Sequence, residues 1–509
     1  MKSGMIWTVL SALFLLLQVV AEGLAAMILW RLNMLPDKYL LALLAVLLLL
    51  AALTAGLLFL RGKKPVSVAR RIVGWVLAIL IAAGCLLVGK VATDAYRTLN
   101  EVTKPVEETS VREMYIFVRT DDPAQTYKDT ADYPYGIIAE YDEEHTQQAI
   151  ALVETETGKT LSVTAFERTA ELADAILNKQ VDAMFINGAA LALLIEDEAY
   201  LDFMDQVRIL HAIPLVQLEE TEPTTQPPTE PSTEPIPSDV TNTPFIVYLS
   251  GSDTRSKKLK VSRSDVNIIA VVNPVTKQIL MINTPRDFWV PNPVGNGKRD
   301  KLTHCGLYGP ECSMEALGDL YDLKADFYAQ INFTGFKKLI DAVGGVTVNA
   351  EHSFTTDDGV YFKKGNNRLN GEEALAFARD RHNVKGGDNG RGKNQMKVIA
   401  AIIDKMTNGT TVISNYASIL KSLEGMFKTN VSMDDISLLV KMQLEDLATW
   451  NIVTYAATGR GGSEKNYSSP GHKAYVMYPD EASVAHAATL VDRILAGEIL
   501  TEEDMKLPA

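Results

Sequence analysis

Two sets of residues in this sequence have the types and spacing for phosphate chemistry. The first is spread over three short stretches: LSGSDTR carries Asp253 and Arg255, SRSDVN carries Arg263 and Asp265, and NTPRD carries Arg286 and Asp287. Mg²⁺ takes one or two protein carboxylates and completes its shell with water and phosphate oxygens. Arginine adds a planar, permanently charged fork suited to phosphate. The combination suits a polyphosphate or pyrophosphate, with structural salt bridges as the competing explanation. The second set is FARDRHNVKGGDNGRGKNQ, residues 377–395, where Arg379, Arg381, Lys385, Arg391 and Lys393 crowd together in a chain of net charge −14. A solvated surface loop and a phosphate cradle both account for such a stretch.

The surrounding elements decide whether these residues meet. FIVYLSGSD, SDVNIIAVVNP and QILMINTPRD each read as a strand closed by turn residues. If consecutive strands are antiparallel, Asp253, Asp265, Arg286 and Asp287 share one rim of the sheet. MEALGDLYDL reads as a helix, DFYAQINF as a strand, and TGFKKLIDAV as a helix stopped by Gly344 and Gly345. NGEEALAFAR is a helix with Asn370 as its N-cap. Strand geometry beyond it would turn Arg379 and Arg381 the same way. The GGDNG stretch would then reverse the backbone. That places Arg391 and Gln395 one turn apart at the start of the amphipathic helix GKNQMKVIAAIIDKM, where amides and dipole favour an anion. The alternation predicts an α/β fold, a mixed β-sheet covered by helices.

At 509 residues the chain should hold two or three domains. Apolar runs near 6–30, 39–60 and 72–91 are each long enough to cross a hydrocarbon core of about 30 Å. Glu22, inside the first run, has to face another helix or the interface. The second loop holds Arg61, Lys63, Lys64, Arg70 and Arg71, against Arg31 and Lys38 in the first. The positive-inside rule therefore makes the second loop cytoplasmic. It predicts a multi-pass cell-membrane protein with a cytoplasmic N-terminus and an extracytoplasmic remainder. A Pro/Thr/Glu-rich linker at 218–243 cannot build a core. It divides a three-helix anchor (1–94) and a small α/β accessory domain (95–217) from a C-terminal domain (244–509). Residues 166–191 of the accessory domain resemble half of a periplasmic solute-binding domain, without a ligand motif; a docking or spacer module is the safer expectation. Cys305 and Cys312 lie on the exported side, as a disulfide or as two free thiols. No C-x-x-C or H-E-x-x-H pattern points to zinc, and the acidic balance argues against nucleic acid as a partner.

LSGSDTR, SRSDVNIIAVVNPVTKQILMINTPRD, DKLTH, INFTGFKKLIDAVGGVTVNA, RLNGEEALAFARDRH and GDNGRGKNQ, in this order over 244–407, resemble the LytR-CpsA-Psr family of bacterial cell-envelope phosphotransferases. The residues after 408 resemble its less distinctive tail. The resemblance implies transfer of a glycopolymer, such as teichoic acid or capsule, from a polyprenyl-pyrophosphate carrier onto peptidoglycan. It implies Mg²⁺ held by Asp253 and Asp265, and a pyrophosphate surrounded by Arg263, Arg286, Arg379, Arg381, Arg391 and Gln395. Lys301 of DKLTH would be an accessory, and apolar space between sheet and helices would take the lipid tail. Of these, Arg286, Arg379, Arg381 and Arg391 are the expected catalytic set. Asn394 stands where the family often has a second arginine, and Lys393 is the nearest substitute. The general base is open between Asp388 and a metal-bound carboxylate. A non-catalytic pyrophosphate-lipid receptor, an envelope regulator and a pyrophosphate hydrolase are the competing functions.

Overall fold

The structure, a computed structural model, describes residues 2–60, 66–103, 113–139, 141–214, 239–252, 259, 262–407, 419 and 421–508. Helices α1 (Lys2–Leu32), α2 (Asp37–Phe59) and α3 (Val68–Val102) form the N-terminal bundle, and all three are long and apolar enough to cross a membrane. Glu22 is buried inside the bundle, where Gln18 Nε2 donates to it at 2.8 Å.

The third helix does not stop near residue 91, and the anchor does not end at 94. Ala92, Ala95, Leu99 and Val102 keep one buried face going, so α3 continues for 35 residues. That is roughly 52 Å, well beyond a hydrocarbon core of about 30 Å. Its projecting end is a seat for the C-terminal domain. Leu32, Met34, Ala95 and Leu99 cluster with Met433, Ile436 and Val440 of a helix spanning Met433–Asp446. Ser437 Oγ donates to the Leu32 carbonyl at 3.1 Å, and Lys441 Nζ pairs with Asp37 at 2.8 Å. The first loop and the C-terminal domain are therefore on the same side of the bundle.

The α/β accessory domain is built on a single five-stranded sheet. Strands β1 (Glu113–Arg119), β2 (Pro134–Ile138), β3 (Ser162–Phe166), β4 (Ala183–Asn187) and β5 (Val207–Pro214) form one sheet in the order β3-β2-β4-β1-β5. Both β4 and β5 run antiparallel to β1, and Phe117, Leu172, Ile176 and Met184 fill part of its core.

In the C-terminal domain β6 (Phe245–Ser252), β7 (Ser264–Asn273) and β8 (Gln278–Asn283) are consecutive antiparallel neighbours, as the pattern predicts. Three more strands extend the sheet: β9 (Phe327–Asn332), β10 (Phe427–Thr429) and β11 (Asn451–Ala456) give the order β10-β9-β6-β7-β8-β11. The β9–β6 and β8–β11 pairs are parallel, so the sheet is mixed. Helices α4 (Phe333–Ala342), α5 (Gly371–Arg379) and α6 (Gly387–Thr407) cover the face that carries the site. The tail is thus part of the central sheet rather than an appendage. Cys305 and Cys312 are free, buried and hydrogen-bonded to each other, which raises the Cys305 thiol well above its ordinary value.

Candidate functional site

The rim forms where the hairpin geometry places it. β6 and β7 pair until a register shift at Gly251/Ser252, and Thr284 N closes the end of β8 onto Asn267 O at 2.9 Å. Asp265, on β7, and Arg286, just past β8, meet with Nη1 2.6 Å from Oδ1. The Arg286 carbonyl is held by Thr303 N at 2.8 Å. Burial works against the Arg286 charge, but Asp265, with Asp287 and Asp388, outweighs it and raises the guanidinium above its ordinary value.

The basic stretch contributes from two elements. Asn370 and Glu373 form a reciprocal capping box at the start of α5. At its other end Asp380 is extended (φ −64°, ψ 126°), and Arg379 and Arg381 line the same cavity. The glycines behave differently from the expected turn. Reversal is confined to Gly386 and Gly387, at φ 95° and 57°. The helix α6 already begins at Gly387, so DNGRGKNQ is helical rather than a loop before a helix. Asp388 pairs with Arg391 at 2.5 Å across one turn. Gly392 is needed for close approach, since a Cβ there would lie 2.2 Å from Asn283 Nδ2. Arg391 and Gln395 therefore sit inside the helix, beyond its free amides, and any anion beside them is held by side chains. Burial pulls the Arg391 guanidinium below its ordinary value, with Asp388 opposing and Arg286 adding to the drop.

These residues line one charged cavity of about 450 Å³: Asp265, Arg286, Arg379, Arg381, Arg391 and Gln395 are all on its wall. Arg286 Nε and Arg391 Nε are buried without a hydrogen-bond acceptor. Arg379 and Arg381 pair with no carboxylate among the described residues, and Arg379 lies 4.8 Å over the Phe333 ring. An anion with several oxygens would satisfy all of these donors. The cavity opens inward onto an apolar chamber of about 180 Å³ between sheet and helices, lined by Leu249, Ala329, Phe336, Leu375, Ile399 and Ile402 among others. Val266, Phe333, Arg379 and Gln395 belong to both walls. The chamber is smaller than ordinary ligand pockets of about 300 Å³ and upward.

Two sequence-predicted residues stand elsewhere. Arg263 is not on the cavity wall; its Nε pairs with Glu196 of the accessory domain at 2.8 Å. Lys301 is also off the cavity wall; its Nζ lies 3.2 Å from Asp287, so it offsets the carboxylate beside Arg286. Asp253, the other proposed metal ligand, and Arg255 lie outside the described residues. Lys393 is no substitute for a missing arginine: it lines a separate cavity with Glu351, His352 and Lys385. Asn394 Nδ2 instead donates to Phe377 O at 3.4 Å, tying α6 to α5. Among the described residues no group of three or more His, Cys, Asp or Glu side chains is gathered for a metal. Asp265 still offers hard carboxylate oxygens next to a cluster of arginines, a donor set that would fit Mg²⁺.

Sequence reasoning missed two features. Asp357, Asp358 and His382 also line the cavity, and His382 Nδ1 lies 2.9 Å from Asp357 Oδ2; the RDRH motif contained the histidine, but its partner comes from a distant turn. In DKLTH the buried pair is Asp300 and His304, 2.6 Å apart. Ser468 donates to Asp300 through both N and Oγ, Tyr308 meets Ser468 at 2.8 Å, and Tyr141 of the accessory domain meets Tyr308 at 3.0 Å. Burial pushes the Asp300 carboxyl up, but His304 and the Ser468 hydrogen bonds outweigh it and leave it below its ordinary value.

The model of the LytR_cpsA_psr family matches residues 216–483, more than half of the 509 residues. The chain belongs to the LytR_cpsA_psr family. The family match takes in the whole central sheet, including β10 and β11, and leaves the anchor and accessory domain outside it. Curated relatives carry the name polyisoprenyl-teichoic acid–peptidoglycan teichoic acid transferase TagU. The Enterococcus faecalis protein is 38% identical over 195 residues, 38% of this chain and 63% of that protein. The Bacillus subtilis protein is 34% identical over 194 residues, 38% of this chain and 62% of that protein. This chain therefore spans less than two thirds of the length of either. The Bacillus cereus relative is 34% identical over 245 residues, 47% of this chain and 75% of that protein. Among solved structures, that of B. subtilis TagV aligns at 26% identity over 51% of this chain and 99% of the other, with a TM-score of 0.42.

Proposed function

We propose that this chain is a membrane-anchored phosphotransferase that moves a glycopolymer from a polyisoprenyl-pyrophosphate carrier onto peptidoglycan at the outer face of the cell membrane. The observation that carries the reading is the junction of a four-arginine cavity with an apolar chamber at Val266, Phe333, Arg379 and Gln395. A lipid pyrophosphate has the same two-part chemistry. The chamber wall includes Phe427, whose neighbour Lys428 reaches the Glu101 carbonyl of α3 at 3.4 Å. The chamber thus lies beside the projecting end of α3. Names of the curated relatives support the substrate class.

In this reading an acceptor hydroxyl attacks the phosphorus that carries the glycan, and polyisoprenyl phosphate leaves. Arg286 and Arg391, held in place by Asp265 and Asp388, would face the charge that develops on the pyrophosphate oxygens. Arg379 and Arg381, free of carboxylates, supply the net positive charge that draws the substrate in. Asp265, with Asp253, would hold Mg²⁺, whose charge would further offset that of the phosphates.

The test is purification from membranes, lipid extraction and mass spectrometry, followed by a transfer assay with a polyisoprenyl-pyrophosphate oligosaccharide and a peptidoglycan fragment. Bound polyisoprenyl phosphate and transferred glycan are expected; finding neither would sink the proposal. Orientation is checked separately. The three native cysteines are buried, so Ser353→Cys should react with a membrane-impermeant maleimide in intact cells. Labelling only after lysis would place the domain in the cytoplasm and overturn the function with it.

A further inference from the structure

The carboxylates nearest the expected reaction centre are already engaged by cations. Asp265 is held by Arg286 at 2.6 Å, Asp388 by Arg391 at 2.5 Å and Asp287 by Lys301 at 3.2 Å. An acceptor hydroxyl would have to displace a bound cation to reach any of the three. His382 is differently placed. It lines the charged cavity but not the apolar chamber, and its side chain is 62% exposed. It thus stands on the open side, where a polymeric acceptor arrives. Its ring is oriented: Nδ1 faces Asp357 Oδ2 at 2.9 Å, while Asn383 Nδ2 holds Asp357 Oδ1 at 2.9 Å. Asn383 is in turn fixed to Asp380 by its backbone N at 2.8 Å and its Nδ2 at 3.0 Å.

With Nδ1–H donating to Asp357, Nε2 is the acceptor nitrogen. It accepts from Arg381 Nε at 3.3 Å. Arg381 is itself a cavity arginine, so an arriving pyrophosphate would draw the guanidinium off and leave the Nε2 lone pair free beside the reacting phosphate. We propose that His382, positioned by Asp357, is the general base that accepts the proton of the acceptor hydroxyl. The proposal rests on the transferase reading above. The hydroxyl oxygen forms a bond to the glycan-bearing phosphorus, and the bond from that phosphorus to the polyisoprenyl phosphate oxygen breaks. The electron pair leaves with that oxygen, the hydroxyl proton goes to Nε2, and the imidazolium returns it to solvent.

Imidazole is the side chain that ordinarily changes charge between pH 5 and 8, so a pH profile reads this role directly. The other charged groups on the cavity wall are Asp357 and Asp358 from one turn, Arg379, Asp380 and Arg381 from the end of α5 and the residues after it, Arg391 from α6, and Asp265 and Arg286 from the rim. Asp358 is a second carboxylate on the open side, and the design has to separate it from His382. The assay uses the full chain in detergent micelles with a polyisoprenyl-pyrophosphate oligosaccharide and a peptidoglycan fragment. His382→Gln should lower kcat by about 100-fold or more, leave lipid KM and melting unchanged, and abolish the fall in rate on the acid side. Added imidazole should restore part of the rate of His382→Ala. Asp357→Asn should keep some activity, with the acid-side fall moved to lower pH, because the imidazolium loses its neighbouring negative charge. A His382→Gln enzyme with the parent's kcat and pH profile, beside an Arg379→Ala enzyme that fails to transfer, would overturn the base while the transferase stands. The same profile change in Asp358→Asn with none in His382→Gln would also overturn it. A parent protein that transfers nothing would remove both.

Discussion

Arg286 and Asp265 are each other's counter-ions, 2.6 Å apart on a rim built from two strand ends. Both side chains are largely buried, so each depends on the other in the free protein. Asp265→Asn should abolish the response of transfer to Mg²⁺ and lower the rate by at least about tenfold. It should also weaken the fold by about 1–3 kcal/mol, the cost of leaving a charged donor short of an acceptor. A Mg²⁺ titration with a chelator control, read beside melting curves, checks this. Full activity of the variant in chelator would remove Asp265 from metal binding.

Among the arginines the structure predicts unequal behaviour. Arg379 and Arg381 are exposed and carry no carboxylate partner among the described residues, so alanine at either should lower transfer by roughly ten- to a hundredfold at unchanged stability, on about 1.5–3 kcal/mol per charge-assisted contact. Arg391 is buried against Asp388, and Arg391→Ala should lose stability as well as rate, because Asp388 is left without its cation. Lysine should rescue each only in part, since it keeps the charge but loses the planar fork. Rates and lipid-pyrophosphate affinities of the six variants decide it; six parent-like proteins would make the stretch a surface loop.

How much of this could be read from the chain alone follows the range of the interactions. The strands β6, β7 and β8 are written in continuous apolar runs closed by turn residues, and antiparallel succession then delivers Asp265 to Arg286. The Asn370–Glu373 box is a four-residue signal and was legible for the same reason. Gly390 and Gly392 look like turn residues, yet they are helical; what holds them is packing against Lys385 O and Asn283, which no local pattern reports. Arg263 reads as a site residue beside Asp265, but Glu196 arrives from another domain and pairs with it. The strand β11 and the seat of Met433–Asp446 on the anchor are likewise contacts between distant segments. Local chemistry gave the parts of the site, and long-range packing decided which of them meet.

Asp300 gives a prediction with a pH sign. Its folded carboxyl is held below the ordinary value, so its contribution is full above about pH 4 and is lost as pH falls through the folded value. Asp300→Asn should therefore weaken the fold at neutral pH by about 3–5 kcal/mol, since His304 loses its buried partner. The variant should also show less loss of stability on acidification than the parent. Denaturant titrations of the full chain in micelles at neutral and acid pH measure both; identical pH dependence in the two proteins would make the Asp300 pair structurally silent.

The apolar chamber makes a prediction that separates the lipid from its headgroup. Ala329 lies on the chamber wall and not on that of the charged cavity. Ala329→Trp adds a large side chain to a space of about 180 Å³ and should exclude the head-proximal isoprene units while leaving the arginines in place. Affinity for a polyisoprenyl pyrophosphate should drop by about tenfold or more, since each buried CH₂ is worth roughly 0.8 kcal/mol. Affinity for inorganic pyrophosphate should not change. Titration calorimetry with both ligands on the full chain reads the two arms side by side. Equal losses for both would mean that the tryptophan disturbs the charged cavity itself. No loss for either would mean that the tail binds elsewhere, and the two-part reading of the site would fail at its apolar half.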